Sequence, residues 1–389
     1  MVAIRWSELA ARAVFYLSTN PTSHADRVLQ AAKALQGWYH GPSGLWTTTG
    51  WWNSANCLTV LADWALHVGS NTGDVNVPQI IATTFENAQK THFTARKILY
   101  GDGLMQSTYT YDPVAKRGFS EFLNEFYDDE GWWALALIRS WDVTKENAYL
   151  DMAVRIFADM QNGTDTVCGG GIWWSKEKKY KNAISNELYL SVAASLANRI
   201  PNNKDHFLKI AKDQWTWFKN SGMINGNSLI NDGLRIQEDG KCVNNGLPTW
   251  SYNQGVILGG LVELFHATAD TSYLADAVAI ATAAITKLSD NTGIIHEVDR
   301  CEPNCGNDGP QFKGIFMRNL QYLTRVVPNP VFQGVIRRNA HSIWTNDRNE
   351  QNQLGIKWTG PPDLGKGPTA ATHSSAMDVL VGALAISGL

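Results

Sequence analysis

Six segments of this chain are apolar nearly all round at helical spacing, and they alternate with helices that are apolar on one side only. Gly255–His266 and Gly131–Trp141 are of the first kind. A helix without a polar face must be buried on most sides. Glu146–Asn162 is of the second kind. There Tyr149, Ala153, Ile156, Phe157 and Met160 recur at three- and four-residue steps, with Asp151, Arg155 and Asp159 between them. His24–Tyr39, Lys204–Asn220 and Ser272–Leu288 repeat that pattern. The apolar segments return at a spacing of roughly 60 residues, a degenerate repeat of helical hairpins. The expected fold is all-α, an (α/α)6 barrel with inner helices shielded by outer ones. Gly259-Gly260 costs an inner helix about 1 kcal/mol per glycine in propensity and permits close backbone approach. No linker splits the chain, so 1–389 reads as one domain.

In such a barrel the first turns of all inner helices gather at one end. Those turns carry Trp52-Asn53, Asp128-Asp129, Asn186-Glu187, Tyr252-Asn253-Gln254, Phe312-Lys313 and His373-Ser374. Together they would line one cleft. The Gly/Asn/Asp-rich stretches Tyr100–Phe119 and Asn225–Thr249 are candidate loops over its rim. Tryptophan is frequent, at 16 residues, and occurs in pairs at Trp51-Trp52, Trp132-Trp133 and Trp173-Trp174. Sugar rings present C–H faces that stack on indole, whereas core packing must also satisfy the indole N–H. The paired, Gly-flanked tryptophans favour carbohydrate contact.

Other classes are weak. A net charge of −3 without a basic run argues against nucleic acid. No apolar run of about 18 residues reads as a membrane span. The nine histidines are scattered, no cysteine or histidine spacing suits zinc, and neither Gly-rich run precedes a GK[ST] sequence. No metal and no cofactor are expected. Cys301 and Cys305 lie in a polar loop that suits a disulfide better than a metal, with Cys242 as another candidate partner. Cys57, in an apolar helix, reads as a buried free thiol. This usage fits an oxidising compartment. Met1–Arg12 does not resemble a signal peptide, being broken by Arg5, Glu8 and Arg12, and Val379–Leu389 lacks the spacer of a lipid-anchor signal.

The strongest chemical signal is Asn124–Trp133, with four acids in six residues at the mouth of a buried helix. Capping and the helix dipole explain Glu125 and Glu130 at about 1 kcal/mol each. They do not explain adjacent Asp128 and Asp129 between a tyrosine and a tryptophan pair. Glycoside hydrolysis needs two carboxyl groups flanking the bond, and a separation near 5–5.5 Å gives retention. Neighbouring Cα atoms are about 3.8 Å apart, so adjacency favours the short separation. Two close carboxylates resist double ionisation, which raises one pKa and makes that group the acid.

Tyr127–Trp133, Gly169–Ser175, Lys181–Leu190, Trp250–Leu261 and Gln311–Phe316 together resemble glycoside hydrolase family 76, the endo-α-1,6-mannanases of bacteria and fungi. The resemblance implies an (α/α)6 barrel and a retaining mechanism on an Asp-Asp pair, with Asp128 as nucleophile and Asp129 as acid/base. It also implies a substrate contact at Asp232, which would otherwise read as a turn residue. Trp52, Asn53, Asn56, Trp132, Trp174, Asn186, Tyr252, Gln254, Phe312 and Lys313 would complete the mannose subsites. Gln254 equally suits a helix cap, and Phe312 and Lys313 packing at the barrel mouth.

The expected function is retaining endo-hydrolysis of α-1,6-mannan by a secreted or wall-associated monomer. A cell-wall transglycosylase, a non-catalytic mannan-binding protein and another (α/α)6 enzyme such as an epimerase are the alternatives. The epimerase would need a histidine pair, and the six first turns offer only His373.

Overall fold

The computed structural model describes residues 23–69, 72–90, 93–99, 101, 105–111 and 121–389. Among these residues twelve α-helices run in alternation. The outer set is α1 (His24–Leu35), α3 (Val77–Ala88), α5 (Asn147–Gln161), α7 (Lys204–Asn220), α9 (Ser272–Leu288) and α11 (Pro330–Asn346). The inner set is α2 (Trp51–Val68), α4 (Tyr127–Thr144), α6 (Ala183–Arg199), α8 (Ser251–Thr268), α10 (Gly309–Val326) and α12 (Ala370–Ala385). Each inner helix packs on the next, and α12 returns to α2, so the ring closes as the (α/α)6 barrel expected from the repeat.

Burial follows the sequence pattern. Every residue of α2 from Trp51 to Ala65 is buried, as is every residue of α6 from Ala183 to Ala197. On α5 the predicted stripe of Tyr149, Ala153, Ile156, Phe157 and Met160 is buried, joined by Leu150 and Met152. The helices predicted at 204–220 and 272–288 have those bounds. The one predicted at 24–39 stops at Leu35, followed by a 3-10 turn Gln36–Trp38 that contains Gly37, a poor helix former.

Glycine sets the spacing of the inner ring, as the Gly259-Gly260 pair suggested. A Cβ on Gly260 would lie 2.3 Å from Leu190 of α6, and one on Gly314 of α10 would lie 2.4 Å from the Ser375 backbone of α12. The connections are unequal. Inner helices pass to outer ones by short turns at 145–146, 200–203, 269–271 and 327–329. Outer helices return to inner ones through long loops at 89–126, 162–182, 221–250, 289–308 and 347–369. All the long loops therefore gather over the N-termini of the inner helices.

Among the described residues three two-stranded antiparallel pairs decorate this mouth: β1 (Tyr39–His40) with β2 (Leu45–Trp46), β3 (Phe93–Leu99) with β4 (Met105–Tyr111), and β5 (Leu234–Ile236) with β6 (Cys242–Asn244). The last lies within the predicted rim stretch Asn225–Thr249. The other stretch, Tyr100–Phe119, contributes β4, and its remainder lies outside the described residues apart from Gly101. Met1–Arg12 lies outside them too.

At the far end, ion pairs lace the helix C-termini together. Arg139 Nε donates to Asp63 Oδ1 at 2.7 Å, Arg199 Nε to Asp142 Oδ1 at 2.9 Å, and Arg199 Nη1 reaches Glu263 Oε2 at 3.1 Å. Tyr322 closes the circuit to Asp63, and Arg318 faces Asp378 at 3.6 Å. Arg139, Asp142, Arg199 and Glu263 border a cavity of about 640 Å³.

The disulfides correct the sequence reading of Cys242. It pairs with Cys168, with a Cα–Cα distance of 5.3 Å, while Cys301 and Cys305 pair with each other. Cys57 is buried and free, as expected. Cys168–Cys242 ties the 162–182 loop to the β5–β6 hairpin.

Gly314→Ala should overpack the α10–α12 contact and cost about 1–3 kcal/mol. Urea unfolding would show this as a lower midpoint at unchanged slope. An unchanged midpoint would mean that the two helices have room to separate.

Candidate active site

The chain enters α4 under tight local control. Phe126 N–H donates to Asn124 Oδ1 at 2.8 Å, and Tyr127 N–H to the Trp174 carbonyl at 2.9 Å. Glu130 Oε1 accepts from Asn124 N–H at 3.1 Å and from Lys176 Nζ at 2.7 Å. Glu130 is thus a structural acid, in line with the capping reading. The first turn then turns Asp128 and Asp129 inward, where they are 3% and 0% exposed.

One cation meets both. Lys97 Nζ, from β3, donates to Asp128 Oδ2 at 3.0 Å and to Asp129 Oδ1 at 2.5 Å. Sharing one ammonium keeps those two oxygens no more than about 5.5 Å apart, on the short side of the separations that two carboxyl groups take in glycoside hydrolysis. Trp174 Nε1 donates to Asp128 Oδ2 at 3.1 Å, and Asn124 Nδ2 to Asp129 Oδ2 at 2.7 Å. Asp128 Oδ1 is buried without a hydrogen-bond partner among the described residues.

The surroundings are acidic. Burial pushes the Asp129 carboxyl up to about 7 against the pull of Lys97, with Asp128 adding to the rise. Burial opposes the charge on Lys97, but Asp128, Asp129 and Asp308 outweigh it and hold its pKa above the usual lysine value. Asp308 accepts from Trp52 Nε1 at 2.8 Å and from the Ser107 hydroxyl of β4, and burial raises its pKa. Burial lifts Asp232 to about 6 despite the Tyr180 hydroxyl that donates to it at 2.5 Å. Burial, with Asp232 nearby, raises Glu187 well above the carboxylate range, and neither of its oxygens has a partner among the described residues. Tyr252 lies among Asp232, Asp128, Asp308 and Glu187, and burial with these charges keeps its hydroxyl un-ionised.

The aromatic residues expected at the cleft do converge. Trp52 stacks on Trp132 at 5.5 Å and on Phe312 at 6.4 Å, and Phe312 stacks on Tyr252 at 3.9 Å. Asn53 accepts from Gly50 N–H at 3.2 Å and leaves its Nδ2 unpartnered among the described residues.

Four residues predicted to bind substrate also make hydrogen bonds to the scaffold. Gln254 accepts from Ile230 N–H at 2.9 Å and donates to the Ile230 carbonyl at 2.8 Å, bracing the loop before Asp232. Asn186 brackets Ile172 in the same way, at 2.8 and 2.9 Å, and so holds the loop that carries Trp174. Lys313 Nζ donates to Glu302 Oε1 at 2.8 Å and to the Ile356 carbonyl at 2.9 Å. Asn56 lies one turn below the mouth, donates to the Trp52 carbonyl at 3.3 Å and accepts from Arg318. His373 is locked as well. Its Nδ1 accepts from Leu354 N–H at 3.0 Å, so its Nε2 donates to the Ala31 carbonyl at 2.8 Å. It is buried, burial lowers its pKa to about 4, and both ring nitrogens are held by backbone groups.

The sequence reading missed Lys97, Asn124, Asp308 and Tyr180 as site residues, and it placed Glu187 at the cleft without a role. Little in the sequence marks Lys97: the alternation that begins at Phe93 breaks at Lys97-Ile98, and only Gly101-Asp102-Gly103 hints at a turn before the Thr108–Tyr111 run. Among the described residues no three metal-ligating side chains converge, and no helix is long and apolar enough to cross a membrane.

Known proteins agree with this architecture. The chain is 26% identical over 329 residues to the mannan endo-1,6-alpha-mannosidase DFG5 of Candida albicans, covering 78% of this chain and 67% of that one. It is 26% identical over 285 residues to DFG5 of Saccharomyces cerevisiae, of which the match spans 60%. A solved structure of an inactive double-aspartate variant of the alpha-1,6-mannanase GH76A of Salegentibacter sp. HEL1_6, in complex with alpha-1,6-mannotetrose, superposes with a TM-score of 0.77 at 21% identity. That superposition covers 93% of this chain and 99% of the bacterial one. Dfg5 from Chaetomium thermophilum in complex with glucosamine gives a TM-score of 0.71 at 18% identity, covering 92% and 90%. The family model for glycosyl hydrolase family 76 matches residues 23–386, and the chain belongs to that family.

Proposed function

We propose that this protein is a retaining endo-hydrolase of α-1,6-linked mannan, with Asp128 as nucleophile and Asp129 as general acid/base. The observation that carries the reading is the carboxylate pair, whose facing oxygens lie within about 5.5 Å of each other. The names of the relatives, mannan endo-1,6-alpha-mannosidases and an alpha-1,6-mannanase, supply the substrate class.

In the first step Asp128 Oδ1 attacks the anomeric carbon of a mannosyl unit. The bond to the leaving oxygen breaks, and Asp129 gives that oxygen its proton. In the second step water attacks the anomeric carbon, Asp129 takes the water's proton, and the Asp128 ester is released. Trp174 Nε1 on Asp128 Oδ2 orients the nucleophile and leaves Oδ1 for attack. Trp52, Trp132, Phe312 and Tyr252 offer apolar faces to sugar rings, while Asp232, Asn53 and a protonated Glu187 offer hydrogen bonds to hydroxyls. Two disulfides support an oxidising compartment for this work.

Asp128→Asn and Asp129→Asn should each lower turnover of debranched α-1,6-mannan by about 10²–10⁴-fold with an unchanged unfolding midpoint. Near-normal turnover in either variant would remove that residue from its role. NMR of the first-formed product should show the α-anomer, and a β-anomer would overturn the retaining assignment. Adding a sugar acceptor separates hydrolysis from transfer, since hydrolysis yields shortened free chains where transfer yields acceptor-linked ones.

The pH dependence has a defined sign. Asp129 must hold a proton to act as acid, and burial raises its pKa to about 7. Below that value the acid form is present, and above it the proton is lost. Activity should fall as pH rises through about 7, and Asp129→Asn should abolish that limb. A limb that persists in the variant would assign it to another group.

A further inference from the structure

We infer that Lys181 is a positioning residue: its ammonium is the built-in cation of a carbonyl cradle, and the cradle sets Trp174 against the nucleophile. The inference rests on Asp128 being that nucleophile.

The cradle is the Gly169–Gly171 run, after which no GK[ST] sequence follows. All three glycines have positive φ, at 73°, 139° and 78°, a region that other residues rarely adopt. A Cβ on Gly171 would lie 2.3 Å from the Trp217 ring, so the run also packs too close to that indole for a side chain. A phosphate loop turns N–H groups inward. This loop turns carbonyls inward instead. Lys181 Nζ donates to the carbonyls of Val167 and Gly170 at 2.7 Å each, to that of Gly171 at 3.1 Å, and to Asp165 Oδ1 at 2.9 Å. It also lies 4.7 Å from the centre of the Trp173 ring. The side chain is 0% exposed. A neutral amine would aim a lone pair at one of these oxygens, and an ammonium has none.

Hydrogen bonds carry the constraint from the cradle to the site. Asp165 Oδ2 accepts from Trp173 Nε1 at 2.6 Å, so the carboxylate that anchors the ammonium also anchors Trp173. Partial burial opposes the charge on Asp165, but the donors of Lys181 and Trp173 outweigh it and hold its pKa below the usual carboxylate value. Trp173 N–H donates to the Gly163 carbonyl at 3.0 Å, and Trp174 N–H to the Tyr180 carbonyl at 2.8 Å. Trp174 Nε1 then reaches Asp128 Oδ2 at 3.1 Å. The path from ammonium to nucleophile runs through Asp165, Trp173 and Trp174, and each link is a hydrogen bond or a peptide bond.

The outer side of the loop has ties of its own. The Cys168–Cys242 disulfide and the Trp217 Nε1 bond to the Cys168 carbonyl at 3.0 Å do not involve the lysine. Leu234 N–H donates to the Lys181 carbonyl at 3.0 Å, a bond that any residue at 181 keeps. Removing the ammonium therefore leaves the loop attached to the barrel. Its inner carbonyls, buried without a donor beside the Asp165 carboxylate, must shift to find one.

The test is chemical rescue. Lys181→Ala removes the ammonium and leaves room for propylammonium. Turnover of debranched α-1,6-mannan should fall about 10²-fold and recover at least about tenfold with added propylammonium. 1-Propanol, close in size but uncharged, should restore nothing. Equal rescue by both would show that Lys181 only fills space, and the inference would fall. In a Trp174→Phe background the same substitution should cost less than about twofold more, because its route to Asp128 is already cut. Losses that multiply would place the action of Lys181 elsewhere and overturn the inference. Lys181→Met keeps the bulk without the charge and should match the alanine variant's loss; wild-type turnover in it would refute the role of the ammonium. A further arm needs no substrate. Amide exchange across residues 165–174 should quicken about tenfold in Lys181→Ala and slow again with propylammonium, while the inner helices keep their protection. Unchanged exchange would show that Lys181 does not hold the loop. Wild-type protein inert on the mannan, with exchange responding as expected, would count instead against the mannan reading.

Discussion

Everything in this structure depends on six helices that have no face to give to water. Ringed together, they satisfy one another sideways and leave only their ends open. At the C-terminal end arginines neutralise carboxylates in pairs, which locks the helices in place. At the N-terminal end Asp128, Asp129 and Asp308 are gathered around one lysine, Lys97. The two ends use similar side chains for opposite purposes. One pairs its charges to hold shape, and the other crowds its acids together at the open mouth.

The fold was legible because burial on all sides leaves a strong mark in a sequence. The runs at 255–266 and 131–141 could belong to no surface helix, and their spacing implied the ring. The proposed catalytic pair stood out for a related reason. Capping explains an acid or two at a helix start, but not two adjacent aspartates between aromatic neighbours. Asn186 and Gln254 show where this reasoning stops. An amide in a first turn can face a sugar or clamp a neighbouring loop, and the residue type is the same for both. Here each brackets one backbone residue, Ile172 or Ile230, and so acts on the site indirectly by fixing the loop that bears Trp174 or Asp232.

Lys97 and Cys168 were illegible for another reason. Lys97 lies on a hairpin outside the helical repeat, and only three-dimensional docking brings it over Asp128 and Asp129. Cys168 and Cys242 are 74 residues apart, and the short spacing of Cys301 and Cys305 drew attention away from them. Both depend on how loops fold over the mouth, which the inner-helix pattern does not govern.

The unequal connections described above carry an implication for how such a protein diversifies. Short turns and ion pairs determine the ring at one end, while the long loops hang from the other. Insertions or deletions in those loops change which chain lengths and branches can enter, at little cost to ring closure. The barrel is in this sense a fixed socket with interchangeable rims, and variation in what it accepts should be written in loop length rather than in the helices.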